Sequence, residues 1–470
     1  METIASSNPN GVNESLTYDD QNRLATVVDN RLSGNNTTSY SYDPSSNVAT
    51  VQYPNGLTST FTYDTLNRLT ELSTPPIADY KYTLGLTGLR TGATEQSGRT
   101  LTWNYDGIYR LTNETISADP SQNNGSISYN LDPVGNRTSD ASSLPGISSQ
   151  SGSYNANDEQ VSSETYDANG NTLTIGGKTF TYDAENHLMT MVQGTTSASI
   201  VYDAFGNRVA KTVNGITTQY LVEDDVNPTG YPQVVEELVN GSVTRQYTFG
   251  LQRISENQQI SNAWTPSFYE YDGFGSVRQL TNSAGAVTDT YEYDAFGNSF
   301  TKTGSTPNNY LYRGEQYDSD LGLYYLRARY YNPATGRFLS RDPEEGNRFD
   351  PRTLHKYLYV GGNPVNRIDP RGRLLVEDTL KTEEEEVKTA PAITKEGVKL
   401  ALCYLAIATS IWEAYDGGLV SNAAAGLGVF GACFAEDFFP KTPPPSPVPP
   451  FEPPPYPPLD PCRLFCVINE

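Results

Sequence analysis

Residues 321 to 343 read LGLYYLRARYYNPATGRFLSRDP, with four arginines, Arg327, Arg329, Arg337 and Arg341, and a closing Asp342-Pro343. A second Asp-Pro, Asp369-Pro370, follows in RIDPRGR. Asp-Pro starts turns well, since the short carboxylate bonds nearby backbone amides and proline fixes φ. Both aspartates therefore read as turn residues. A second chemistry is open to them if the fold brings them together. Two adjacent carboxylates cannot both ionise cheaply, so one keeps a proton while the other activates water. The aromatics of the stretch, Tyr324, Tyr325, Tyr330, Tyr331 and Phe338, read as packing residues.

Other chemistries find little support. All four cysteines, Cys403, Cys433, Cys462 and Cys466, follow Arg373, and four cysteines allow three disulfide pairings. Cys403 with Cys433 is preferred, because a helical hairpin would bring those positions together. No metal site is read: the tail has no histidine, and its one CxxxC has no matching second pair. The absence of histidine after His355 excludes HNH-type nuclease and serine-histidine hydrolase sites from that region. No Gly-rich phosphate loop is present, and no cofactor is expected.

The 470 residues carry 55 acids against 32 bases, a formal charge of -23 that repels phosphate backbones and argues against non-specific nucleic-acid binding. Only 36% of the chain is hydrophobic, a composition of turns and exposed strands. The start, METIASSNPNG, lacks a basic segment followed by an apolar one, so no signal peptide is read. The expectation is export by another route, or a piece of a longer protein.

What must position Asp342 and Asp369 is a repeat. Tyr-Asp recurs at Tyr18, Tyr42, Tyr63, Tyr105, Tyr166, Tyr182, Tyr202, Tyr271, Tyr293 and Tyr317, often 20 to 24 residues apart. Copies such as FTYDTLNRLTEL and YEYDAFGNSFTK read as strand, tight turn, strand. Phe61 and Tyr63 are two apart and share a strand face. Asp64 opens the turn. Three residues after Asp19, Asp64, Asp132, Asp167, Asp183, Asp203, Asp272 and Asp294 stands a residue that tolerates positive φ: Asn22, Asn67, Gly135, Gly170, Asn186, Gly206, Gly275 and Gly297. Hairpins of this kind are barely stable alone, but stacked they bury continuous aromatic rows. The fold expected is mainly β, a coiled antiparallel sheet of stacked hairpins forming a partial shell over residues 1–311.

This pattern resembles the YD repeat of the RHS family, shared with teneurins, whose sheet spirals into a hollow shell. The resemblance is closest in YRGEQYDSDLGLYYLRARYYNPATGRFLSRDP and KYLYVGGNPVNRIDPRGR, which match the RHS repeat-associated core over 312–373. It implies that this block closes one end of the shell. In many members it is also an aspartyl autoprotease that cuts just after a DPxGL motif and releases a variable C-terminal domain. The resemblance then implies catalytic roles for Asp342 and Asp369, assisted by Arg329, with cleavage between Arg373 and Leu374. Arg373 stands where the family has leucine.

Beyond Arg373 the repeat stops. Residues 374–439 are expected to form a helical domain: an acidic run, KTEEEEVK, precedes two short apolar helices around Asp416-Gly417-Gly418. A membrane-inserting toxin is the alternative reading of that pair. Residues 440–470 form a proline-rich tail, with 13 prolines among the 22 residues 440–461, expected as stiff polyproline II.

The function expected is an RHS-type carrier, secreted or on a bacterial cell surface, with its own C-terminal domain as toxic cargo. An upstream shell segment or a delivery partner would complete it. The competing reading is a non-catalytic surface scaffold that binds a target cell surface or carbohydrate.

Overall fold

The computed structural model describes residues 1–31, 36–347 and 349–373, and the backbone of 376–377. Leu374, the expected helical hairpin, the proline-rich tail and the four cysteines lie outside the described residues. The described residues belong to one compact unit, Met1–Ile393.

That unit is mainly β, as the hairpin periodicity predicts. A 13-stranded antiparallel sheet runs in chain order from Glu2–Ala5 to Arg137–Ser142, and a 14-stranded one from Glu164–Tyr166 to Ser299–Thr303. Within each of these two sheets the strands pair in sequence order, the outcome expected when each repeat is a hairpin that stacks on the last. Neither sheet closes. Among the described residues, Glu2–Ala5, Glu164–Tyr166 and Ser299–Thr303 have a ladder on one side only.

The turn chemistry is repeated almost atom for atom. The Asp64 carboxylate Oδ1 accepts the backbone N–H of Leu66 at 2.9 Å and of Arg68 at 3.1 Å, and Oδ2 accepts Arg68 Nε at 2.7 Å. Asp19, Asp106 and Asp132 do the same with the residues two and four places on. The register slips at the tyrosine of each hairpin, as between Thr62 and Tyr63, the bulge that follows a type I turn closed by a left-handed residue. All eight predicted left-handed residues have positive φ, from 58° at Asn67 to 112° at Gly135.

The tyrosine of each Tyr-Asp has its own task. Tyr42 donates its hydroxyl to the Leu24 carbonyl at 2.8 Å, Tyr63 to Val48 at 3.1 Å, Tyr202 to Leu188 at 3.0 Å and Tyr293 to Val277 at 3.0 Å. These hairpins are thus each tied to the one before. Phenylalanine could fill the same space but could not make this bond.

The sheets meet face to face over an aromatic core. Leu16, Val27 and Val51 of the first sheet share a cluster with Tyr247, Phe249 and Tyr269 of the second. Phe296, a turn tip of the second sheet, enters a cluster with Leu72, Trp103 and Tyr129 of the first, edge-on to Tyr129 at 5.0 Å. Carboxylates stitch the seam: both Glu114 oxygens accept the Ala295 N–H at 2.9 and 3.0 Å, and Glu236 accepts the Val12 N–H at 2.7 Å. Burial pushes Glu14, Glu114 and Glu270 up to about 8. The segment from Tyr310 to Val365 packs on both sheets. Tyr324, Tyr331 and Tyr359 join the first cluster, while Leu321, Tyr325 and Tyr330 cover Phe180, Met191 and Ile200 of the second sheet.

Candidate active site around Arg329

A small four-stranded antiparallel sheet, Gln316–Asp318, Leu323–Leu326, Arg329–Asn332 and Arg337–Phe338, builds the site. Its central hairpin pairs Tyr324 with Tyr331, Tyr325 with Tyr330 and Leu326 with Arg329. Arg327 and Ala328 make the turn between them, with Arg327 at a φ of 57°. Alternating tyrosines lock the hairpin to the core, and the tight turn leaves Arg327 and Arg329 on either side of Ala328. The dense stretch is therefore scaffold and site at once.

Arg329 is 4% exposed, with Phe338 beneath it at 3.6 Å from guanidinium carbon to ring centre. Its Nη2 donates to Asp342 Oδ2 at 2.7 Å and to Asp369 Oδ2 at 3.4 Å, so one nitrogen bridges the two predicted carboxylates. Its Nη1 donates to the Lys356 carbonyl at 3.2 Å and its Nε to the Gly372 carbonyl at 2.5 Å. Burial lowers the arginine's pKa, against the pull of the two carboxylates.

The carboxylates sit in different surroundings. The Asp342 side chain keeps 17% of its exposure and that of Asp369 3%. Solvent reaches the first and hardly the second. Burial pushes the Asp342 carboxyl above the ordinary range, with Arg329 opposing. Asp342 is also the turn residue that Asp-Pro predicts, accepting the Glu344 N–H at 3.0 Å.

Asp369 opens a turn of the repeat kind: its Oδ1 accepts the N–H of Arg373, four residues on, at 3.0 Å. The three carbonyls that follow are all held by the hairpin. Arg327 Nη1 donates to Pro370, the Ala328 N–H to Arg371 at 3.3 Å, and Arg329 Nε to Gly372. Gly372 has a φ of 66°, and a Cβ there would lie 2.3 Å from the Leu326 carbonyl oxygen, so the position admits only glycine.

All three residues assigned catalytic roles, Asp342, Asp369 and Arg329, thus converge, and Arg373 lies at the same place. Leu374 falls outside the described residues. Sequence reasoning missed Arg327, which grips Pro370 and also pairs with Glu315 at 3.0 Å, and the fit of Gly372 against Leu326. The repeated arginine of LRAR was the available signal. Among the described residues, no group of three or more His, Cys, Asp or Glu side chains is placed to hold a metal, and no helix is long and apolar enough to cross a membrane.

A sequential meander of Tyr-Asp hairpins, ended by an arginine-gripped Asp-Pro turn, defines a YD-repeat β-shell protein. The chain belongs to the teneurin YD-shell family, whose family model matches residues 3–107 and 96–365. Among curated relatives, the tRNA nuclease WapA of Bacillus subtilis (strain 168) is 34% identical over 286 residues, 59% of this chain and 11% of WapA. The double-stranded DNA deaminase toxin A of Burkholderia cenocepacia (strain H111) is 26% identical over 221 residues, 41% of this chain and 15% of the toxin. The chain therefore spans only about a tenth of the length of the WapA proteins it matches. Of solved structures, the TcdB2-TccC3-Cdc42 complex aligns with a TM-score of 0.65 at 20% identity over 77% of this chain and 20% of that one. The Tc holotoxin pore of Photorhabdus luminescens with the TccC3-D651A mutation gives 0.62 at 18% identity, over 79% of this chain and 22% of that one. The likeness to these structures is one of fold.

Proposed function

We propose that this chain is the end of a shell that carries the domain following residue 373 as a toxin cargo and frees it by aspartyl self-cleavage. The observation that carries this reading is the single Arg329 nitrogen shared by Asp342 and Asp369 beside the turn that ends at Arg373. Burial pushes the Asp342 carboxyl up, against Arg329, which suits it to donate a proton. Asp369, bonded to the backbone it would cut, activates water. The RHS pattern puts the cut after Arg373. The names of the relatives, nucleases and a deaminase toxin attached to a shared YD region, support a variable cargo whose own chemistry differs from protein to protein. A carrier of this kind works outside the producing cell, secreted or on its surface, with an upstream shell segment or delivery partner supplying the rest of the enclosure.

The test is growth. Expression of residues 374–470 alone in a bacterial cytoplasm is expected to arrest growth, and the whole chain with Asp369→Asn is expected to be tolerated. Normal growth in the first case would remove the toxin cargo from the reading.

A second reading, a carbohydrate-binding scaffold, draws on a cavity of about 330 Å³ between the sheets, lined by Tyr129, Tyr317, Tyr324, Arg137, Asp140 and Asn298. Tyrosines beside planar polar groups suit a sugar, and a glycan array is the corresponding measurement.

A further inference from the structure

We propose that a cavity between the two sheets, walled by Phe274, is a binding site for a short carboxylate, received by Arg99 and Trp103. This inference is independent of the self-cleavage reading.

In ordinary turns of this chain the arginine four residues after the aspartate presents one edge of its guanidinium to the carboxylate. Nε and Nη2 of Arg23 meet Asp19 Oδ2 at 2.8 and 2.7 Å, and those of Arg68 meet Asp64 Oδ2 at 2.7 and 2.5 Å. That edge is the planar fork whose two N–H groups suit a carboxylate. Arg99 closes a turn of the same spacing, in which the Glu95 N–H donates to the Arg99 carbonyl at 2.9 Å. Glutamate stands in the aspartate's place, and its longer side chain meets Arg99 only at Nη1, at 3.3 and 3.4 Å. Nε and Nη2 have no hydrogen-bond partner among the described residues, although Arg99 is only 1% exposed. The fork that the repeat fills with a carboxylate is here buried and empty.

Trp103, in the strand Thr100–Tyr105 that follows, repeats the deficit. It is 4% exposed, and its indole N–H has no partner among the described residues. Both side chains line a cavity of about 50 Å³, walled also by Arg278 and Phe274 of the second sheet and by Val365. Arg278 is committed, to Glu95 at 3.0 Å and to Asp272 at 3.5 Å. The carboxylate oxygens that line the cavity, those of Glu95, Glu114, Asp272 and Asp294, are all engaged by N–H or O–H donors. Three buried donors are therefore left over, with no lining carboxylate to take them. A buried donor left unmet costs about 1–3 kcal/mol, and more when charged, so the arrangement calls for acceptor oxygens.

The fork selects a carboxylate, with Trp103 supplying a third N–H. Phe274 stands edge-on to Tyr82 at 5.3 Å and to Trp103 at 5.4 Å, an apolar wall for a short alkyl group. A single water needs roughly 10–15 Å³ of such space, so the cavity takes an acid of the size of acetate. Burial pushes Glu114 up to about 8, which removes one negative charge from the wall at neutral pH. Because the walls come from both sheets, an occupant bound only by the folded chain stabilises their junction.

The test adds sodium acetate to the ¹⁵N-labelled full chain, with sodium chloride at equal concentration as the control. Of the three tryptophan indole N–H signals, the one missing from a Trp103→Phe variant is expected to shift saturably with acetate and not with chloride. The melting temperature is expected to rise by a few degrees in parallel. Arg99→Lys keeps the charge and removes the fork, and is expected to abolish both responses. A Trp103 signal that acetate leaves in place, moves without saturating, or moves as chloride does overturns the inference and assigns the cavity to water or to an adventitious ion only. An Arg99→Lys variant that is folded by circular dichroism and responds as the natural chain does overturns it equally. Should that variant not fold, the Trp103 signal of the natural chain decides alone.

Discussion

The N–H of Arg373 donates to the Asp369 carboxylate at 3.0 Å, the bond that Arg68 makes to Asp64 at 3.1 Å in an ordinary hairpin turn of the same chain. The candidate site is thus a repeat turn whose aspartate has been given a new partner. Asp369→Asn keeps an oxygen to accept that N–H but removes the negative charge. The variant is expected to fold with an unchanged circular dichroism spectrum and to lose all self-cleavage on a denaturing gel. Cleavage at the natural rate would remove Asp369 from the chemistry.

Gly372→Ala tests the fit of the turn against the hairpin. An added Cβ meets the Leu326 carbonyl at 2.3 Å, and the residue is held at a φ of 66°. Strain of this kind costs about 1–3 kcal/mol, and relief by moving the turn would withdraw the Gly372 carbonyl from Arg329. Loss of cleavage with a modestly lowered melting temperature is expected. An alanine variant that cuts normally would mean that this contact is not needed.

The buried glutamates set a pH dependence with an unusual sign. Glu14, Glu114 and Glu270 hold their protons to about pH 8 in the folded protein, against an ordinary 4.5 when exposed. A raised folded-state pKa favours the folded form fully below 4.5, and that contribution is lost as pH rises to about 8. Asp19 and Asp64, held below their ordinary range by Arg23 and Arg68, act in the opposite direction: their contribution is lost as pH falls below about 3.8. Differential scanning fluorimetry should find the highest melting temperature near pH 4.5–5 and a steady decline towards pH 8. Glu114→Gln should flatten that decline, and a melting temperature that rises over the same range would contradict the burial of these groups.

Phe296→Ala tests how the sheets are joined. The ring is 3% exposed, lies edge-on to Tyr129 and has the Arg137 guanidinium 4.0 Å from its centre. Truncation of a buried phenylalanine costs about 3–5 kcal/mol. Chemical denaturation should report a loss of that size, whereas Phe205→Ala, at the same turn position but 60% exposed, should change little.

The local half of this architecture was legible in the sequence. The turn aspartates, the left-handed residues after them and the hairpin order all follow from contacts within a few residues, so spacing alone discloses them. Turns closed by Ser46, Tyr109 and Gln122 were harder to see, because these residues enter the left-handed region without the side chain that usually marks it. The resemblance of the 312–373 block brought Asp342, Asp369 and Arg329 together in advance. The grip of Arg327 on Pro370 and the seam of Glu114 with Ala295 were not visible. Such contacts join residues tens to hundreds of positions apart and leave no periodic trace. The buried glutamates are similarly silent, because a strand's pattern does not tell which face another sheet will cover.

The intact mass of the purified full chain, measured beside an Asp342→Asn variant, tests the central claim most directly. Two fragments divided within residues 372–374 in the natural chain, and a single full-length mass in the variant, are the predicted result. One full-length mass in both proteins would reduce Asp342 and Asp369 to turn residues clasped by an arginine, and would contradict the release of a cargo by this shell.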